Sequence, residues 1–420
     1  DGQPPWVLFH DAERTCDALA AVYPDEVDAY RRYVRLARPA AELLFELALA
    51  PPTVPTVARR LLERRGRGAT TLWRWSRRSA DVVLASFFSA PALRAGAVAT
   101  GPAVWGLHGG AAGTGLGALG YALRHVAPVG RPRGGSGALP RALAGALVAH
   151  GGTIRTGAAV SAVLAEGRAV RGVRLDDGTE ILAAAVVVAT DPHRALVEWL
   201  GEVPAAAALV ERWRRRPVGE GYESKIDAVV DAPPRLAAVD DDLLRIWGVD
   251  DPWRSTVHIA PDPAGIAAAH AAAGAGRVAE WPLMFANVPT VADRELRPVD
   301  GGEVLSLEVL FTPYRLDGGW DTTGEPQRWL ELFASVCEPG LLDTVRRWRV
   351  MTPVRYEREF ALERGHAPAY AGGPVAALVG RDRELTRYRA GLDGLYLTGA
   401  ATFPGAGVWG ASGRNTAGVV

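Results

Sequence analysis

The sequence predicts an α/β fold of interleaved helical and sheet-forming segments, and three observations point there. Residues 131–191 read in turn as a glycine-rich turn, a helix, a strand, a hairpin and an apolar strand, an α/β pattern with an antiparallel excursion. The closing stretch, 394–420, reads as a short apolar strand, a run of glycines and the start of a helix. No internal repeat and no low-complexity linker separates the sections, so they are expected to interleave in space.

The elements follow in order. WVLF (6–9) reads as a short strand, Asp11 caps a helix running to Val22, and Pro24 with Asp25 opens another to about Leu49. In that second helix Tyr30, Tyr33, Val34, Leu36 and Ala37 recur at helical spacing, with Arg31, Arg32, Arg35 and Arg38 on a face read as solvated. Further helices are expected near 57–65 and 79–88. After PRGGSG (132–137) comes a helix stopped by Gly151 and Gly152, then two alternating strands with Asp177-Gly178 as the hairpin turn, then a fully buried strand over 183–192. YESKIDAVVD (222–231) and GEVLSLEVLFTPY (302–314) alternate as strands, residues 263–274 and 325–337 read as helices, and 395–397 as the last strand.

Composition excludes several classes. The 420 residues are 48% hydrophobic, enough for a large core, and 47 basic residues balance 47 acidic ones. No global field recruits nucleic acid or an anionic membrane. Cys16 and Cys337 are the only cysteines and form no CxxC, so a reducing, cytoplasmic setting is expected. The eight histidines show no HxH or HExxH spacing, which argues against zinc. No signal peptide is visible. The most apolar tract, 81–121, is broken by Pro91, Arg94, Pro102 and His108, whereas a bilayer span needs about 20 nearly uninterrupted apolar residues. The opening Asp1 and the apolar final residues read as ends cut from something longer.

Two motifs are weak. Gly115, Gly117 and Gly120 spell G-x-G-x-x-G, but no strand precedes them and no acid follows at the spacing a dinucleotide site needs; a close-packed glycine turn is the competing reading. Ser136 lacks the strand and the G-x-S-x-G of a nucleophile elbow. The C-terminal stretch is stronger. Gly399, Ala400 and Ala401 allow close approach to the backbone, and Gly405, Gly407, Gly410 and Gly413 lead to a helix start. Unpaired amides there would stabilise a phosphate or the electron-rich edge of a reduced flavin, although an ordinary strand-to-helix turn has the same composition.

RPRGGSGALPRALAGALVAHGGTIRTGAAVSAVLAEGRAVRGVRLDDGTEILAAAVVVATDPHRAL (131–196) resembles the middle signature of the phytoene desaturase-like FAD oxidoreductases. GLYLTGAATFPGAGVWGASGRN (394–415) resembles their C-terminal FAD signature, and WVLFHDAERTCDAL (6–19) is similar to the family as well. These proteins belong to the wider flavin-containing amine oxidase superfamily. The resemblance implies a glutathione-reductase-type FAD-binding domain, incomplete at its N-terminus, interleaved with a mixed-sheet and helical substrate domain. Four segments are expected: 1–130 as a mainly helical cap, 131–200 as FAD domain, 201–352 as substrate domain, and 353–420 returning to the FAD domain. The family's βαβ unit would lie before Asp1, since such a unit takes at least roughly 30 residues.

By resemblance Val160, Ala189 and Thr190 meet the adenosine half of FAD, and Gly399 and Ala400 the ribityl and phosphate part. Gly407, Val408, Trp409 and Gly410 line the flavin pyrimidine edge. The family's Thr-His-Pro-Gly stands here as Thr402-Phe403-Pro404-Gly405, which removes a histidine near the ring. Lys225, the sole lysine, matches the lysine that reaches flavin N5 in much of the superfamily; a surface strand lysine is the competing reading. His258, His108 and Tyr370 are lesser candidates on a pocket wall. Trp73, Trp75, Phe87, Phe88 and Trp105 suit either core packing or a substrate channel.

The function so implied is hydride transfer from a C–H bond of an apolar, isoprenoid-like substrate to flavin N5, with the electron acceptor open. The rivals are a non-redox flavin-dependent polyene isomerase and a flavin-free isoprenoid carrier. Peripheral membrane contact is compatible with this function, although no basic-apolar helix in the sequence demands it.

Overall fold

A computed structural model describes residues 2–370, 372–380, 382–407 and 410–420. The strands in chain order are β1 (Val160–Glu166), β2 (Ala169–Leu175), β3 (Glu180–Leu182), β4 (Val186–Val188), β5 (Glu223–Val230), β6 (Val257–Ile259), β7 (Met284–Asn287), β8 (Glu303–Leu310), β9 (Val345–Met351) and β10 (Leu395–Leu397). The chain forms two compact units. Residues 1–41, 71–150 and 220–365 make the first; residues 42–70, 151–219 and 366–420 make the second. Packing rather than chain order groups them, so 42–70 falls with the second unit and helix Ala138–Ala149 with the first.

The first unit is built on an antiparallel sheet ordered β6-β7-β8-β5-β9. Its central strands alternate because one face is a core: Ile226, Ala228 and Val230 of β5 join Leu305, Leu307 and Val309 of β8 under Trp329 and Phe333 of helix Glu325–Ser335. A second, aromatic core forms where Tyr30 and Tyr33 of helix Val27–Ala48 meet Trp75, Phe88 and Tyr121. Each phenol finds a partner: Tyr33 donates to the Ala118 carbonyl at 2.6 Å, Tyr121 to the Leu93 carbonyl at 2.6 Å, and Tyr30 pairs with His125 Nε2 at 2.7 Å. Trp75 and Phe88 therefore serve packing rather than a channel, while Trp73 and Trp105 are exposed.

Asp11 caps helix Ala12–Ala20 by accepting from the Arg14 amide at 2.7 Å, as its position predicts. A cap the sequence does not show lies nearby. Glu26, almost wholly buried, accepts from the Ser89 amide at 2.8 Å and the Ala90 amide at 2.5 Å, just before helix Pro91–Thr100, which has no cap of its own. Glu26→Ala would take the charged acceptor from both of these part-buried amides and is expected to cost about 2 kcal/mol in urea unfolding.

Two strand expectations are corrected. WVLF forms no strand, because the described chain places no neighbouring strand beside it; Trp6 instead packs edge-on against Tyr121. Only Val186–Val188 of the 183–192 run is a strand, and Val187 is 48% exposed, so it is not fully buried. Gly115 and Gly117 of the G-x-G-x-x-G run lie in the tight turn Thr114–Leu119 and Gly120 opens helix Gly120–Val126; a side chain at Gly115 would fall 2.1 Å from the Trp75 carbonyl oxygen. Close packing thus accounts for this glycine.

The second unit holds an antiparallel β1-β2-β3 sheet and a parallel β4-β10 pair, over a core of Val163, Val170, Val188, Leu196, Leu395 and Leu397. Asp177-Gly178 makes the β2-β3 turn, with Asp177 Oδ1 accepting from the Thr179 amide at 2.8 Å.

Candidate functional site

In the second unit, β4 and β10 run side by side and release their chains at the same end. Ala189 and Thr190 follow β4, and Thr398 to Ala400 follow β10, tied by the Thr398 amide donating to the Val188 carbonyl at 2.8 Å. A side chain at Gly399 would lie 3.6 Å from the Ala189 carbonyl oxygen, so the Ala189–Thr190 and Gly399–Ala400 pairs are neighbours. The carboxyl ends of parallel strands are where such sheets bind ligands. Val160, Ala189 and Thr190 also line one open cleft of about 480 Å³ with the apolar Val173, Val187 and Trp199. That volume lies within the range of small-molecule sites.

The chain then loops through 400–407. The Tyr370 amide donates to the Ala400 carbonyl at 2.8 Å, the Phe403 amide to the Leu385 carbonyl at 2.8 Å, and the Gly405 amide to the Thr402 carbonyl at 2.8 Å. Gly407 and Gly410 are exposed; Val408 and Trp409, between them, lie outside the described residues. The helix that follows, Ala411–Ala417, is short, so the anion-stabilising case rests on loop amides rather than on a long helix dipole.

A buried polar seam fastens this loop. Ser412, Asn415 and Thr416 share the inner face of that helix. Thr402 Oγ1 bonds Ser412 Oγ, and Thr416 donates to the Leu397 carbonyl at 3.3 Å. Asn415 donates to the Ala48 carbonyl at 3.0 Å and to the Tyr388 hydroxyl at 3.1 Å, and Tyr388 in turn donates to the Phe403 carbonyl at 2.8 Å. Sequence reasoning missed these positions; the signal was three small polar residues at helical spacing in GASGRNTAG.

Lys225 belongs to the first unit, on the face of the sheet opposite its core. Register sets one row across five strands there: His258, Phe285, Glu308, Lys225 and Met351. Lys225 Nζ pairs with Asp227 Oδ1 at 2.9 Å, and Arg349 reaches the other oxygen of Asp227 at 3.1 Å. Burial opposes ionisation of Asp227, but these two cations outweigh it and hold the carboxyl below its usual range. Lys225 is thus a half-exposed, ion-paired lysine rather than one isolated in an apolar pocket.

Directly opposite Lys225, Glu308 is pushed up to about 7, first by burial and then by the Glu223 carboxylate, against the pull of Lys225. Burial raises Glu223 too. His258 is accessible but set deep among protein atoms, which holds its imidazole down to about 4. This face therefore offers a carboxyl able to hold or release a proton near neutrality beside a fixed ammonium. His108 packs at a tilt against His270, with ring centroids 5.0 Å apart. Tyr370 packs edge-on against Phe403 in the second unit.

The profile of the flavin containing amine oxidoreductase family matches residues 26–218. Pyridine nucleotide-disulfide oxidoreductase domain-containing protein 2 of Rattus norvegicus is 30% identical over 306 residues, 69% of this chain and 50% of that protein. Prolycopene isomerase of Arabidopsis thaliana is 26% identical, covering 68% of this chain and 44% of that one. The lycopene-forming phytoene desaturase of Pantoea ananas is 24% identical, covering 71% and 58%. The chain spans about half the length of these curated relatives. Among solved structures, a cofactor-site triple mutant of putrescine oxidase aligns with a TM-score of 0.53 at 14% identity, over 94% of this chain and 76% of that one, which shows a shared fold.

The glycine loop and the cleft at the strand ends leave room for part of a flavin dinucleotide. The chain is similar to the flavin containing amine oxidoreductase family over residues 26–218 and to phytoene desaturase-like relatives, and FAD is the cofactor that goes with that similarity.

Proposed function

We propose that the protein is an FAD-dependent oxidoreductase of the dehydrogenase or desaturase type, acting on a C–H bond of an apolar, isoprenoid-like substrate. The observation that carries the reading is the convergence of Ala189, Thr190, Gly399 and Ala400 at the ends of β4 and β10, beside an apolar cleft. Two carotenoid-processing relatives support the substrate class. When bound, FAD supplies the hydride acceptor. Val160, Ala189 and Thr190 would hold its adenosine half, Gly399 and Ala400 its central part, and Gly407 to Gly410 its pyrimidine edge. The chain's own contribution is orientation and exclusion of water; in the first unit the Glu308 carboxyl, across the ladder from Lys225, can hold a proton near neutrality.

The test is the visible spectrum of the complete purified protein, followed by anaerobic mixing with a polyene. Bound flavin that bleaches supports the reading. Bound flavin that stays oxidised while double-bond geometry changes moves the protein to the isomerase reading, which the prolycopene isomerase relative favours. A colourless protein that refuses added FAD overturns both. Lys225→Met is expected to slow flavin reduction or reoxidation about tenfold, equivalent to one lost polar contact. Unchanged half-reactions in stopped flow would remove Lys225 from the site.

A further inference from the structure

The face of the five-stranded sheet that carries Lys225 and Glu308 has a second end, of opposite character, at β6 and β7. His258, Phe285 and Asn287 alternate there with core positions and so share that face, and Thr256 lies two residues before His258. Two arginines of the same unit reach this end from outside the sheet. Arg131 Nη2 donates to Thr256 Oγ1 at 3.2 Å and to Asn287 Oδ1, which also accepts from the Thr256 hydroxyl at 2.8 Å. Both bonds leave from Nη2, so Nε and Nη1 stay available to donate elsewhere. Arg124, in the last turn of helix Gly120–Val126, is the charge that faces His258. Neither guanidinium has an acidic partner among the described residues, and burial lowers both below the ordinary arginine value with no carboxylate to offset it. At the opposite edge of the sheet, Arg346, Arg347 and Arg349 of β9 each pair with an aspartate. Two partly desolvated cations without a counter-charge are costly unless an anion joins them. Beside them the His258 ring packs on Phe285 with centroids 4.5 Å apart, an aromatic floor between the arginines and Glu308.

We propose that Arg124 and Arg131 hold an oxyanion at one end of an otherwise apolar substrate, whose chain lies over His258 and Phe285 toward Lys225. Guanidinium groups suit this task because their planar donors match the oxygens of a carboxylate or phosphate. The row from His258 to Lys225 crosses three strand spacings, about 14 Å, so the substrate is a long chain rather than a small acid. The inference rests on the reading of Lys225 as part of the reaction site, and it names the polar end that the apolar substrate of that site carries.

The experiment is calorimetric titration of the complete protein with retinoate and with retinol, which share a polyene and differ in the oxyanion. Retinoate is expected to bind about 100-fold tighter, roughly tenfold for each arginine, and to lose part of that advantage in high salt. Arg124→Gln and Arg131→Gln should each lower the advantage about tenfold while retinol binds as it does to wild type, which also shows that the fold is kept. Equal affinity for the two polyenes, or binding of neither, overturns the proposal, as does an advantage that survives both substitutions. Inorganic phosphate that protects against unfolding through both arginines, with no advantage for retinoate, overturns it in favour of an unattached anion. Flavin bleaching by retinol without a preference for retinoate overturns this inference and leaves the oxidoreductase reading standing; an arginine-dependent preference in a protein that refuses FAD does the reverse.

Discussion

Gly405→Ala is expected to strip the complete protein of flavin while its five-stranded sheet stays folded. Gly405 sits at φ +103°, and an added Cβ would fall 2.2 Å from the Tyr370 carbonyl oxygen. That oxygen cannot easily withdraw, because the Tyr370 amide is bonded to Ala400 in the same loop. The backbone conformation alone costs an L-residue roughly 1–3 kcal/mol, and the collision adds to it. The cheaper response is for residues 400–407 to move, carrying the loop amides away from the flavin. A loss of about 3 kcal/mol would weaken FAD by roughly 100-fold or more, read by flavin fluorescence titration. Gly413→Ala is the control: it lies in the last helix with nothing within 4 Å of the new methyl and should bind FAD as wild type does. Wild-type affinity in Gly405→Ala would show that the loop does not shape the flavin site.

Local chemistry made much of this fold legible. Asp11 announces its helix because a carboxylate before an apolar periodic run satisfies an orphan amide. β5 and β8 announce themselves because one buried face forces strict alternation. WVLF misleads for the converse reason: apolar content makes a strand only when a neighbour completes its ladder, and sequence carries no record of neighbours. At the candidate site, glycines mark the loop, but the seam beneath it depends on Tyr388 and Asn415 meeting Ala48, far away in the chain. The lysine stood out by composition, whereas Glu308 did not. Its character comes from register, which sets it across from Lys225 on a strand reached only after more than seventy residues.

Glu308 should make stability fall as pH rises through neutrality. Its folded value, about 7, lies above the roughly 4.3 of an unfolded glutamate. Below about pH 4 the carboxyl is protonated in both states and costs nothing. Between there and about pH 7 the unfolded chain ionises first and gains relative to the fold, and above about pH 7 the cost is complete. The full displacement corresponds to roughly 4 kcal/mol; solvent reaching the half-buried site reduces that to about 2 kcal/mol. Glu308→Gln, uncharged at every pH, is therefore expected to exceed wild type by about 2 kcal/mol at pH 8 and to match it near pH 4 in urea unfolding. The groups facing Glu308 decide where the transition falls: Glu223 raises it, and Lys225 lowers it from directly across the ladder. Lys225→Met should consequently shift the wild-type transition to higher pH, whereas the same substitution in the Glu308→Gln background should leave no transition to shift. A difference between wild type and Glu308→Gln that stays constant from pH 4 to pH 8 would mean that Glu308 ionises as an ordinary surface carboxylate, and the proton-holding role beside Lys225 would go with it.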